Sequence, residues 1–158
     1  MVLLAAISLS SYILTANPKG EIAVSSIQVF PGNARRYSNK DQDFAFVHFN
    51  ATADLSPLFN WNTKQLFLWV SAEYENKRGV KNEVVIWDRI VRRKEDARLS
   101  ILGRNKYAFR ELSASFKGAA PAHYTLKYNV MPYVGVLTYG EAARTTDSVP
   151  FPDRQELS

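Results

Sequence analysis

Cysteine is absent from this 158-residue chain, and histidine occurs only twice. Without cysteine there is no disulfide, no thiol nucleophile and no zinc–thiolate site. An oxidising compartment is not thereby excluded, because a chain of this length can bury enough surface to fold without covalent staples. His48 and His123 fall singly in alternating segments, with no H-x-x-x-H spacing, and read as ordinary strand residues. A G-x-S-x-G elbow, a glycine-rich phosphate cradle and a calcium-loop spacing of carboxylates are also missing. Glu73 and Glu75 share one strand face near its exit, where solvation explains them. No catalytic, cofactor-binding or metal-ligating residue set emerges, and no cofactor is expected.

Charge of one sign is not concentrated either. The formal charge is +5 and the pI near 9.5, but the densest basic cluster is only "RRK", Arg92–Lys94, after an apolar run. That is a solvated strand end, not a nucleic-acid footprint. A full-length apolar run is missing too. "MVLLAAISLSSYILTA", Met1–Ala16, is uncharged and is broken by "NPKG" at 17–20. As a helix, 16 residues reach roughly 24 Å, short of the roughly 30 Å of a hydrocarbon core. Ser8, Ser10 and Ser11 do not gather on one polar face, which argues against an amphipathic core helix. A cleaved signal peptide lacks its basic n-region and has a poor cleavage site at Leu14 and Ala16. The preferred reading is the distal part of a membrane-anchor helix, residues 1–16, incomplete at its N-terminus, with residues 17–20 as a linker.

What is present is alternation. Period-two patterning marks Glu21–Phe30, Phe44–Leu55, Lys64–Glu75 and Glu83–Arg93 as strands. The polar stretch 33–43 is a loop, "SPLFNWN" a turn or short helical link, and "NKRGVKN" a turn at Gly79. "LSILGRNKYAFREL" reads as a short piece, a turn at Gly103–Asn105 and a fifth strand at Lys106–Leu112. His123–Leu137 reads as a long last strand that Pro132 must interrupt or place at an edge. The tail "SVPFPDRQELS" is extended. The prediction is an all-β fold, an antiparallel β-sandwich of immunoglobulin-like size over 21–158 with an extended C-terminal tail, preceded by a truncated N-terminal transmembrane helix.

One strand carries two apolar faces. In "FNWNTKQLFLWVSAEYEN", Phe59–Asn76, the stripe Leu66, Leu68, Val70, Ala72 and Tyr74 is a core face. The opposite face is polar at its ends and aromatic at Phe67 and Trp69. Either long loops or the C-terminal "VPFP" cover those two rings, or they form a partner interface, since an aromatic centre with a polar rim is how interface anchors look. Trp61 and Trp87 are candidates to extend that patch. Asn50-Ala51-Thr52 is the one N-x-T triplet in the chain, so Asn50 is a candidate N-glycosylation site if the compartment is right.

"DFAFVHFNATADLSPLFNWNTKQLFLWVSAEYEN", "NEVVIWDRIV" and "SVPFPD" stand in order, and between about Ile22 and Asp153 the chain resembles the third subunit of the eukaryotic signal peptidase complex. The resemblance implies a single-pass type II protein of the endoplasmic reticulum membrane, with its amino end in the cytosol and its β domain in the lumen. It implies an accessory, non-catalytic role in signal-peptide removal, the serine-type peptidase chemistry lying on a separate catalytic subunit. The implied partners are that catalytic subunit, braced by the β domain, the other subunits of the complex and the membrane, with signal-peptide substrates in proximity. This sequence departs from the family in opening inside the apolar run. A secreted or membrane-anchored β-sandwich adhesion or ligand-binding module is the alternative, and an independent hydrolase a weaker third.

Overall fold

The structure, a computed structural model, describes residues 1–13, 17–33, 41–111 and 115–155. Among these residues a helix α1, Val2–Ile13, precedes eight strands: β1 Lys19–Asn33, β2 Asp41–Asp54, β3 Thr63–Glu75, β4 Lys81–Val91, β5 Arg98–Arg104, β6 Phe109–Arg110, β7 His123–Pro132 and β8 Thr138–Arg144. They form two antiparallel sheets. One runs β1-β2-β5, with short β6 also on β2; the other runs β4-β3-β7-β8. Single turns of 3-10 helix at Ser56–Leu58 and Lys94–Asp96 carry the chain from one sheet to the other.

The core lies between the sheets, filled by the alternating inner residues of each. From β2 come Val47, Phe49 and Ala51, from β3 Leu66, Leu68 and Val70, and from β7 Tyr124 and Leu126, all essentially without solvent exposure. The Ala45–Ala53 face of β2 and the Leu66–Tyr74 face of β3 both point inward, as alternation requires.

Bulges in β1 and β4 explain where simple alternation fails in those strands. In β1 the pairing shifts between Val24 and Ser26, leaving Ser25 as an extra residue whose hydroxyl donates to the His48 carbonyl at 3.0 Å. The inner positions therefore change from Ile22 and Val24 to Ile27 and Val29. In β4, Trp87 stands opposite Val70 and Val85 opposite Ser71, so Ile86 is the extra residue. Its carbonyl accepts the amides of Lys106 at 2.7 Å and Tyr107 at 3.3 Å. The segment after β5 thus covers part of β4's exposed edge.

Several sequence expectations need correction. The "short piece" before Gly103 is the full strand β5, and Gly103 sits inside it. A Cβ there would lie 2.9 Å from the Phe49 ring, so glycine is present because an aromatic ring packs on its backbone, not because the chain turns. The expected fifth strand shrinks to Phe109–Arg110; its end at Leu112 lies outside the described residues. The long last strand stops at Pro132, which has no N–H to continue the ladder, and a separate edge strand, β8, follows. β1 begins at Lys19, inside the expected linker, and continues through Pro31, which an edge strand tolerates. Most of the expected loop 33–43 lies outside the described residues; Asp41–Asp43 already belong to β2.

Helix α1 has 12 residues, about 18 Å at 1.5 Å per residue. Among the described residues no helix is long and apolar enough to cross a membrane. Residues 14–16 of the expected anchor lie outside them. The helix leaves Val2, Leu3, Leu4, Leu9 and Ile13 exposed.

The C-terminal segment straps the sandwich. Val149 exchanges backbone hydrogen bonds with Ala122 at 2.8 and 2.9 Å, and the Gln155 amide donates to the Val29 carbonyl at 2.8 Å. Between them Phe151 stacks on Phe116 at 4.6 Å, and the Arg154 guanidinium reaches the buried Asp43 carboxylate at 3.4 Å. Tyr74 and Phe109 complete that aromatic cluster, with the Tyr74 hydroxyl donating to buried Glu111. Burial, followed by the Glu111 carboxylate, pushes the Tyr74 phenol far above its ordinary range.

Candidate interaction surface

The outer face of the β4-β3-β7-β8 sheet carries the candidate surface. Register alone places its side chains. Phe67 pairs with Ile90 on one side and Asn129 on the other, and Asn129 pairs with Tyr139. That row of Ile90, Phe67, Asn129 and Tyr139 crosses all four strands. The next row is Asp88, Trp69, Lys127 and Glu141. The rings of Phe67 and Trp69 lie 5.6 Å apart and tilted by 30°. Both are half-buried, while Ile90 is 47% and Tyr139 70% exposed, so the row presents apolar surface to its surroundings. Beside it the Gln65 amide donates to the Met131 sulfur at 3.1 Å.

The other half of this face is closed by charge. Lys127 Nζ bridges Glu73 at 2.9 Å and Glu83 at 2.6 Å, and Arg144 adds a 3.4 Å contact to Glu73. Burial opposes the Lys127 charge, but the Glu83 and Glu73 carboxylates outweigh it, and its pKa is raised. The ammonium in turn holds the Glu83 carboxyl below the usual range. Two cations and two carboxylates leave no net charge there. Ser71 and Thr125, paired beneath this roof, are completely buried although they belong to the outer face. The surface is therefore an apolar half of rings and Ile90 beside a neutral, mutually satisfied ionic half.

The four predicted interface residues separate. Phe67 and Trp69 share the outer face. The "VPFP" segment does not cover them, because Phe151 is engaged with Phe116, Phe109 and Tyr74. Trp87 does not extend the patch: its pairing with Val70 turns it inward, where it is 5% exposed and packs edge-on to Phe49 at 5.9 Å. Trp61 lies in the turn before β3, at the end of the sandwich, 60% exposed. Sequence reasoning missed Ile90 and Tyr139. Ile90 was available from its position three residues beyond Trp87 on the opposite face; Tyr139 was hidden because β8 went unrecognised. Asn50 points outward from the other sheet, between Ala23 and Leu102, and is exposed.

His48 lies exposed on the outer face of the first sheet, with Ser26 Oγ 3.3 Å from its Nδ1, whereas His123 opens β7 in the second. Among the described residues no three His, Asp or Glu side chains are grouped to hold a metal.

Comparison with known proteins shows the family of the chain. The sequence profile of the family described as "Signal peptidase subunit" matches residues 1–154. The chain belongs to this family. It is similar to "Signal peptidase complex subunit 3" of Gallus gallus, 37% identical over 165 aligned positions that cover 98% of this chain and 88% of that protein. The Homo sapiens protein of the same name is 38% identical, covering 87% of this chain and 73% of the relative. The Yarrowia lipolytica one is also 38% identical, covering 75% and 69%. Membership of this family implies a complex with other signal peptidase subunits.

Proposed function

We propose that this accessory, non-catalytic subunit of the signal peptidase complex braces the catalytic subunit through the outer face of its β4-β3-β7-β8 sheet. In this reading the chain is held at the endoplasmic reticulum membrane by its apolar N-terminal segment, in type II orientation, with the sandwich over residues 21–158 in the lumen. The serine-type chemistry belongs to the partner. The observation that carries the reading is the Ile90–Phe67–Asn129–Tyr139 row with Trp69 beside it, in which Ile90 and Tyr139 are exposed and the two rings of β3 half-exposed on a folded sheet. Such strips mark partner sites when they are contiguous and rimmed by polar groups, and Asp88, Gln65 and Lys127 supply that rim. The exposed leucines and Ile13 of α1 support the membrane reading, since an apolar helix surface requires lipid or protein to cover it. Asn50 lies on the outer face of the opposite sheet and is proposed as an N-glycan acceptor in the lumen.

The test is recovery from solubilised membranes. Tagged full-length chain is expected to bring down the catalytic subunit, and Phe67→Ser with Trp69→Ser is expected to lose most of that recovery while its melting temperature stays near the parent's. A parent chain that recovers no catalytic subunit overturns the assignment. A double variant that loses stability in proportion to binding shows that the rings are core and not contact.

A further inference from the structure

The anchored reading leaves one end of the sandwich unexplained. Four segments converge there: the chain entering β1 at residues 17–19, the β2–β3 link, the β4–β5 link and the β7–β8 loop. Their meeting follows from register: Lys19 pairs with Asp54, Asp54 with Arg98, Thr63 with Pro132 and Leu66 with Val91. At this end the chain exposes Trp61 by 60%, Tyr133 by 67%, Val136 by 69% and Leu137 by 43%. Exposed Lys64, Arg92, Arg93 and Lys94 stand at the same end, with Glu95 and Asp96 following in the β4–β5 link.

These rings are not on slack loops. The Asn62 side chain donates to the Val134 carbonyl at 2.7 Å and accepts the Val134 amide at 3.1 Å, while its own carbonyl accepts the Tyr133 amide at 2.8 Å. Asn62 thereby clamps the turn carrying Trp61 to the loop carrying Tyr133 and Val136. The turn itself is fixed by Asn60, whose Oδ1 accepts the Asn62 amide at 2.9 Å, and by the Thr63 hydroxyl donating to the Leu58 carbonyl at 2.8 Å. The loop's Gly135, at φ +117°, lies against α1 so closely that a Cβ there would be 3.0 Å from Ser8 Oγ. The exposed apolar loop therefore stands beside α1, a helix that itself exposes Leu4, Leu9 and Ile13.

We infer that the end of the sandwich formed by Trp61, Tyr133, Val136 and Leu137 is a lipid-contact site that enters the phospholipid interface beside α1. The chemistry is that of an interfacial belt. Trp and Tyr rings favour the headgroup boundary, aliphatic tips reach the acyl chains, and Lys and Arg stretch their stems to the phosphates. The inference rests on the membrane-anchored reading above and adds that the folded domain itself touches lipid. It would fix the height and tilt of the sandwich on the membrane, and so of the sheet face proposed to hold the catalytic subunit.

Tryptophan fluorescence tests it. Full-length chain is reconstituted alone in phosphatidylcholine vesicles, with and without lipid brominated on the acyl chains, and floated on a density gradient. No other subunit is present to cover Trp61. Brominated lipid is expected to quench part of the parent's emission, and Trp61→Phe is expected to lose most of that quenched component. Tyr133→Ser with Leu137→Ser, in which Trp61 still reports, is expected to reduce the quenching while the far-ultraviolet spectrum stays that of the parent. Chain that floats without being quenched, or quenching that survives in Trp61→Phe, overturns the lipid-contact site and leaves the anchor standing. Chain that does not float overturns both.

Discussion

Lys127 holds the ionic half of the outer sheet face together, and its two carboxylate neighbours set the pH range over which it does so. Glu83 has a folded pKa below its ordinary 4.5, so its contribution is present above that value and is lost as pH falls through the lowered one. Lys127 has a folded pKa above its ordinary 10.5, so its contribution is present below that value and is lost as pH rises through the raised one. The window is therefore about 4.5 to 10.5. Lys127→Met removes the cation that bridges Glu73 and Glu83 and leaves only Arg144, on Glu73, to offset the two carboxylates, which widens the deficit while both are ionised. Thermal melts across pH are expected to show the variant less stable by about 1 kcal/mol, the scale of partly exposed ion pairs, inside that window. The two curves should converge toward its acidic edge. A constant offset at every pH would mean that Lys127 acts through its packed methylenes alone. Single residues also show how a sequence conceals direction. Trp87 reads like Trp69, an aromatic in an apolar strand, and only the register opposite Val70 sends one inward and leaves the other on the surface.

At the scale of elements, the sequence was legible where alternation ran unbroken. β3 shows its core stripe from Leu66 to Tyr74 because no bulge interrupts that inner run. β1 and β4 each contain an extra residue, Ser25 and Ile86, so inner residues change parity midway and a fixed two-residue period misassigns half the strand. β8, "TYGEAAR", is an edge strand whose consecutive Ala142 and Ala143 are both buried across a register shift, and such a segment carries no alternation to detect. β5 failed for a different reason. Gly103 and Asn105 are turn residues by statistics, yet Gly103 serves the Phe49 ring, and Asn105 caps the strand by accepting the Val47 amide at 3.0 Å on its side chain. That account has a measurable consequence. Gly103→Ala is expected to destabilise the chain by about 1–3 kcal/mol, the usual cost of overpacking, and the loss should shrink when Phe49→Ala has already removed the ring. Additive losses in the double variant would place Gly103's importance in its backbone and not in contact with Phe49.

For the whole molecule, the two sheets offer different outer faces, and only one is proposed to be occupied. Asn50 lies on the outer face of the β1-β2-β5 sheet; Ile90 and Phe67 lie on the outer face of the other. The proposed partner surface was only half legible from sequence for this reason: Phe67 and Trp69 announce themselves within one strand, while Ile90 and Tyr139 join them only once four strands are laid side by side. A glycan makes a bulky probe of that geometry. Asn50→Gln is expected to abolish a mobility shift on enzymatic deglycosylation while leaving recovery of the catalytic subunit unchanged. Ile90→Asn with Arg92→Thr creates an acceptor on the opposite face, and the glycosylated form of that variant is expected to be excluded from the complex while remaining folded. Ile90→Asn alone creates no acceptor, so it separates the polarity of the new side chain from the bulk of the sugar. If the chain glycosylated at position 90 still assembles, the β4-β3-β7-β8 face is not where the subunit is held. If instead removal of the sugar from Asn50 disrupts assembly, the occupied face is the other one, and the Phe67–Trp69 pair must be reassigned to stability.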